Sequence, residues 1–81
     1  MKYNPLGSTG LSVSALALGG NIFGRFADRA RTADLLGLAE MRGVNLIDTS
    51  DTYSDGLSET YIGEALRGRR DHWVIATKCG I

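Results

Sequence analysis

Three short apolar runs, "ALAL" at residues 15–18, "VNLI" at 44–47 and "WVIA" at 73–76, alternate with two stretches of helical spacing, and this alternation constrains the chain most. Consecutive strands joined through helices must run parallel, because a parallel partner is reached only by a crossover of about a dozen residues or more. Parallel sheets are covered on both faces, which suits runs that are continuously apolar. With 81 residues, a single domain is the ceiling.

The punctuation between the runs sets the order of elements. "YNPLGSTGLSV" carries Asn4-Pro5, Gly7 and Gly10 among few apolar residues and reads as a turn-rich N-terminal hairpin. "VSALALGG" then reads as a strand whose two closing glycines mark a bend or a close approach of backbone. After the aperiodic loop "NIFGRFADRAR", Thr32 is the expected cap of a helix over residues 32–42, with Leu35, Leu38, Ala39 and Arg42 at spacings of three and four, and Gly43 just past its end. "VNLIDTS" is the second strand. Ser58 is the expected N-cap of a second helix that carries Ile62, Ala65 and Leu66 on one face and ends at Gly68. "DHWVIATKCG" is the third strand.

The fold class is therefore α/β, with β-α-β-α-β after the hairpin. A doubly wound open sheet and a (β/α)8 TIM barrel both fit. The first would place a G-x-G-x-x-G turn directly before a helix, whereas "LGGNIFGRF" has Gly19, Gly20 and Gly24 followed by a loop. The strand ends favour the barrel: Gly20 and Asn21 follow the first run, Asp48 closes the second and Lys78 the third. In barrels, active sites are built at those C-terminal ends.

Nine Lys and Arg balance nine Asp and Glu, so the chain has no electrostatic footprint for nucleic acid or an anionic membrane. A small neutral or anionic metabolite is the expected partner. "MKYNPLGSTG" lacks the apolar core of a signal peptide, and no run approaches the roughly 18 apolar residues of a membrane span, which makes the cytoplasm the expected location. Cys79 is the single cysteine and has no partner for a disulfide or a metal pair, and no metal site is expected.

Side chains two apart on a strand share a face. If Asp48 points into a barrel, so do Leu46 and Val44; if Lys78 does, so do Ala76 and Val74. Both series are apolar until their last member, and on adjacent parallel strands Asp48 and Lys78 are expected to meet as an ion pair at the rim. Tyr53 follows on the next loop. An ammonium beside a phenol favours the ionised form and makes the phenol a better proton donor at neutral pH. Other polar residues have plainer readings: Glu59 suits the positive end of a helix, Asp51 and Asp55 suit turns, His72 lies at the opposite strand end, "RGRRD" is a solvated helix end, and Tyr61 and Trp73 are packing residues.

"LGSTGLSVSALALGG", "GVNLIDTSDTY", "LSETYIGEAL" and "VIATKCG", in that order and spacing, resemble the aldo-keto reductases, and the likeness runs along essentially the whole chain. "TYSDGLSE" and "GRRDHWVIATK" are similar to bacterial members. The resemblance implies a barrel oxidoreductase that reduces aldehydes, ketones or sugars reversibly with NADPH (NADP+), NADH being possible. It implies Tyr53 as proton donor to the carbonyl oxygen, Lys78 and Asp48 as its tuning partners, Asp48 also as holder of the nicotinamide ribose, and Gly20 and Asn21 against the nicotinamide. It further implies a histidine after a fourth strand and a dinucleotide clamp near the end of the barrel, neither within these residues. Residues 1–81 are thus expected to be the N-terminal portion of a single barrel domain, and the isolated chain is expected neither to bind NADPH tightly nor to reduce aldehydes. The alternative is a truncated, non-catalytic chain acting as an assembly or cofactor-sensing piece, which the resemblance to potassium-channel β subunits allows in principle.

Overall fold

The computed structural model describes residues 1–79; Gly80, which closes the segment read as the third strand, lies outside them. Strands β1 (Tyr3–Pro5) and β2 (Ser12–Ser14) form an antiparallel hairpin with Tyr3 opposite Ser14. Leu6 N–H donates to Leu11 O at 2.9 Å across its turn, where Gly7 and Gly10 take the left-handed φ values of 55° and 82°. Then follow β3 (Leu18–Gly19), α1 (Arg29–Met41), β4 (Leu46–Asp48), α2 (Leu57–Ala65) and β5 (Val74–Ala76). The last three strands make one parallel sheet in the order β3-β4-β5. The architecture is mixed α/β, as the sequence predicts.

The segments read as the second and third strands are strand only over Leu46–Asp48 and Val74–Ala76, the latter preceded by a 3-10 turn at Arg70–His72. Three other boundaries differ from the sequence reading, each for a local reason. The run "VSALALGG" is not one strand. Ser14 Oγ donates to Leu16 O at 2.6 Å, which turns the chain, so residues 12–14 pair back into the hairpin and only Leu18–Gly19 joins β4. Helix α1 begins at Arg29 because the Asp28 carboxylate accepts Arg31 N–H at 2.8 Å. Thr32 is therefore a buried residue of the first turn and not a cap. Helix α2 begins at Leu57 behind Gly56, whose φ of 92° turns the chain, and this moves Ser58 inside the helix. Gly43 follows the end of α1 in the left-handed form expected of it, with φ 87°.

The register explains the core. Leu18, Ile47 and Ile75 stand side by side on one face of the sheet. Fully buried Ile47 clusters there with Leu36 of α1, Ile62 of α2, Leu66 and Trp73. Burying each such side chain stabilises the fold by about 1.5–3 kcal/mol. The Trp73 indole N–H donates to Glu40 Oε1 at 2.9 Å, which satisfies its polar atom. On the opposite face, Gly19, Asp48 and Ala76 stand side by side and exposed. Cover on both faces is therefore not met among the described residues, since both helices lie on one side.

The hairpin fixes the N-terminal end of β4. Asn45 Oδ1 accepts Ser14 N–H at 2.7 Å, Asn45 Nδ2 donates to Ser12 O at 2.9 Å, and Tyr3 Oη donates to Gly43 O at 2.5 Å. His72 precedes β5 at this same end, away from Asp48. No helix among the described residues is long and apolar enough to cross a membrane.

Candidate active site

Because Ile47 faces the helices, Asp48 must face away from them, at the C-terminal end of β4. Val44 departs from the expected alternation: it precedes the strand and is buried in the core. The chains leaving β4 and β5 stay paired beyond the strands, Thr49 N–H donating to Ala76 O at 2.8 Å and Asp51 N–H to Lys78 O at 3.1 Å. Lys78, two residues beyond Ala76, therefore emerges on the side of Asp48. Its Nζ donates to Asp48 Oδ1 at 3.0 Å and to Thr49 O at 2.8 Å. The expected ion pair forms, with 54% of the Lys78 side chain and 62% of Asp48 exposed. The hydrogen bond to Asp48 raises the Lys78 pKa above its ordinary value, and Tyr53 adds a smaller contribution in the same direction.

Tyr53 opens a tight turn, Tyr53–Gly56, in which Ser54 and Asp55 have φ of 54° and 55° and Gly56 has φ of 92°. Two non-glycine residues in the left-handed region cost roughly 1–2 kcal/mol each and persist where surrounding contacts over-determine them. Ser54 Cβ is lodged 3.0 Å from where a Cβ on Gly24 would lie, so the loop after β3 braces this turn. The turn holds the half-buried Tyr53 beside Lys78, with Nζ 5.3 Å from the ring centroid in a cation–π contact.

Gly20 follows β3 and is buried. A Cβ there would meet Thr49 Cβ and Oγ1 at 2.7 Å and Asp48 O at 3.1 Å, so the close approach inferred from Gly19-Gly20 is made to the β4 end. Asn21 is exposed beside it in a single 3-10 turn, Gly20–Ile22, where the sequence suggests a loop.

Below these residues lies a set of hydrogen bonds that the sequence reading misses. Ser58 Oγ donates to Gly20 O at 2.7 Å and lies 2.7 Å from Thr49 Oγ1, both hydroxyls being buried. Thr77 Oγ1 donates to Glu59 Oε2 at 2.5 Å. The available signal was a hydroxyl residue directly after two of the strand ends, in "DTS" and "ATK". Among the described residues, no group of three or more His, Cys, Asp or Glu is placed to hold a metal.

A phenol, an ammonium and a carboxylate thus converge on the C-terminal edge of a parallel sheet. The Aldo/keto reductase family model matches residues 15–81, and the chain belongs to that family. An uncharacterized 11.2 kDa protein in the crtE 3′ region of Pseudescherichia vulneris is 39% identical over 90 residues, covering 99% of this chain and 87% of that protein. The NADH-specific methylglyoxal reductase of Escherichia coli is 39% identical over 88 residues, covering all of this chain and 27% of the reductase. A solved structure from Pseudomonas aeruginosa ascribed to the aldo-keto reductases is 53% identical with a TM-score of 0.87, covering 96% of this chain and 31% of that one. An aldo-keto reductase from Klebsiella pneumoniae in complex with NADPH is 33% identical with a TM-score of 0.74, covering 84% of this chain and 24% of that one. The chain thus spans less than a third of the Escherichia coli, Pseudomonas and Klebsiella proteins.

Proposed function

We propose that this chain is the N-terminal portion of a (β/α)8 barrel oxidoreductase that reduces aldehyde, ketone or sugar carbonyls to alcohols, and runs in reverse, with NADPH or NADH. The observation that carries the reading is the convergence of Tyr53, Lys78 and Asp48 on one edge of the sheet. Family membership supports oxidoreductase chemistry in general. The uncovered sheet face supports further barrel strands, as do relatives more than three times this chain's length. Nothing in the site favours the non-catalytic alternative. The proposed setting is the cytoplasm.

The site fits a nicotinamide cofactor. Asp48 offers an exposed carboxylate to a ribose hydroxyl, and Asn21, exposed just after β3, offers an amide near the same strand ends. The proposed cofactor residues are Gly20, Asn21 and Asp48. The cofactor, when bound, supplies the hydride that reaches the carbonyl carbon. The Tyr53 hydroxyl gives its proton to the carbonyl oxygen, and the Lys78 ammonium stabilises the phenolate left behind. Asp48 holds the ammonium in place and keeps it charged. In the oxidation direction, Tyr53 takes the proton back.

Tyr53→Phe tests this reading in the longest polypeptide that carries the sequence, with NAD(P)H consumption in the presence of an aromatic aldehyde as the assay. Loss of the proton donor is expected to lower kcat by about 10²–10⁴-fold. A rate unchanged by the substitution overturns the role of Tyr53. The 81-residue chain alone is expected to show no stoichiometric NADPH binding in calorimetry.

A further inference from the structure

The first turn of α2 does not end in solvent. Two consecutive residues of that turn, Ser58 and Glu59, reach the C-terminal ends of all three parallel strands. Ser58 Oγ binds Gly20 O after β3 and contacts Thr49 Oγ1 after β4, each at 2.7 Å, with no solvent exposure of its own. Glu59 Oε2 accepts from Thr77 Oγ1, after β5, at 2.5 Å. Each anchored residue adjoins a site residue: Gly20 is itself one, Thr49 follows Asp48 and Thr77 precedes Lys78. Ser58 does not cap the helix and Glu59 spends its carboxylate on a neighbouring strand, so helix propensity alone accounts for neither.

We propose that Ser58 and Glu59 are positioning residues, a clamp on the α2 helix that sets the relative height of the β3, β4 and β5 ends and thereby holds Lys78 in register with Asp48. The site's own bonds show why such a clamp matters. Lys78 grips both Asp48 Oδ1 and Thr49 O, so sliding the β5 end by one hydrogen-bond length breaks both. The pair is exposed and too weak to impose its own register. Glu59 acts through geometry, since the carboxylate that shifts Lys78 is that of Asp48.

This inference rests on the catalytic reading only for its consequence in turnover; the geometry is testable without it. The experiment follows the Lys78 side-chain titration by NMR in the chain carrying Thr77→Val, Thr77→Ser, Glu59→Ala or Glu59→Gln. Both sites of change are exposed, so folding survives where Ser58→Ala, which strands buried polar atoms, can fail. The Val and Ala variants are expected to drop the Lys78 midpoint toward that of ordinary lysine. The Ser and Gln variants, which keep a donor and an acceptor, are expected to retain the wild-type midpoint, and Glu59→Ala combined with Thr77→Val to go no lower than either alone. An identical midpoint in all variants overturns the clamp. In the turnover assay with NADPH and 4-nitrobenzaldehyde, the Val and Ala variants are expected to lose roughly ten- to a hundredfold in kcat. Activity in the wild type with unmoved midpoints defeats the clamp and leaves the reductase reading standing. Moved midpoints with no wild-type activity do the reverse.

Discussion

The two faces of the parallel sheet are built from the same three strands and differ in almost everything else. On the helix side, Ile47 sits among Leu36, Ile62, Leu66 and Trp73 with no exposed surface of its own. On the other side, one residue along, Asp48 is mostly exposed and its carboxylate accepts a hydrogen bond from Lys78. A single step in register therefore separates the residues that hold the chain together from those that can do chemistry. The backbone follows the same division. Turns at the hairpin end use glycine where φ is positive, whereas the turn carrying Tyr53 forces Ser54 and Asp55 into that region. Burial stabilises one face, and solvent-exposed charge lies on the other.

The sharpest way to break this contrast is Ile47→Ala. It removes a fully buried side chain between two helices and is expected to cost about 2–5 kcal/mol, read as a lowered denaturation midpoint. Ala76→Ser, on the facing side of the neighbouring strand, is expected to change stability by no more than about 0.5 kcal/mol. Equal effects would mean that the two faces are not the distinct environments described above.

Gly20→Ala probes the place where the faces meet. The added methyl would lie 2.7 Å from Thr49 Cβ and Oγ1. Thr49 cannot retreat, because its hydroxyl is tied to buried Ser58, and overpacking of this kind typically costs about 1–3 kcal/mol. The β3 end would also move away from Asp48, so cofactor affinity should weaken along with stability in a polypeptide that binds it.

Ser54→Gly acts in the opposite direction. The serine has φ of 54° and a buried hydroxyl with no hydrogen-bond partner among the described residues. Glycine relieves both penalties and loses backbone entropy in return, for a net gain of up to about 1 kcal/mol. A more stable variant with slower turnover would show that the strain is kept for the position of Tyr53.

These contrasts also mark how far the sequence could be read. The parallel order and the meeting of Asp48 with Lys78 follow from strand period and crossover chemistry, which are local rules applied twice. The family likeness rests on motifs that run along the chain. Boundaries were less legible, because Asp28 and Thr32 are both good caps and only the fold shows which one finds a free N–H. Ser58, Thr49, Glu59 and Thr77 were not legible as a group. Their bonds join residues 9 to 38 positions apart, and a hydroxyl carries no sequence mark of the distant partner it will meet.

The smallest effect is the most specific to the exposed face. Lys78 has its pKa raised above the ordinary 10.5, first by the hydrogen bond it donates to Asp48. A lysine pKa higher in the folded chain means that its ionised form is stabilised by folding. That contribution is complete below pH 10.5, the value for unpaired lysine, and disappears as pH rises through the raised folded value. Asp48→Asn removes the cause. Its stability deficit relative to wild type should be small at neutral pH, because the pair is screened by water, and should vanish once Lys78 is deprotonated in both. Added salt should shrink the deficit as well, whereas the Ile47→Ala deficit should hardly respond to salt. If the Asp48→Asn deficit instead persists into strong alkali and high salt, the pair acts through packing, and the division of the sheet into a stabilising face and a chemical face would have to be redrawn at Asp48.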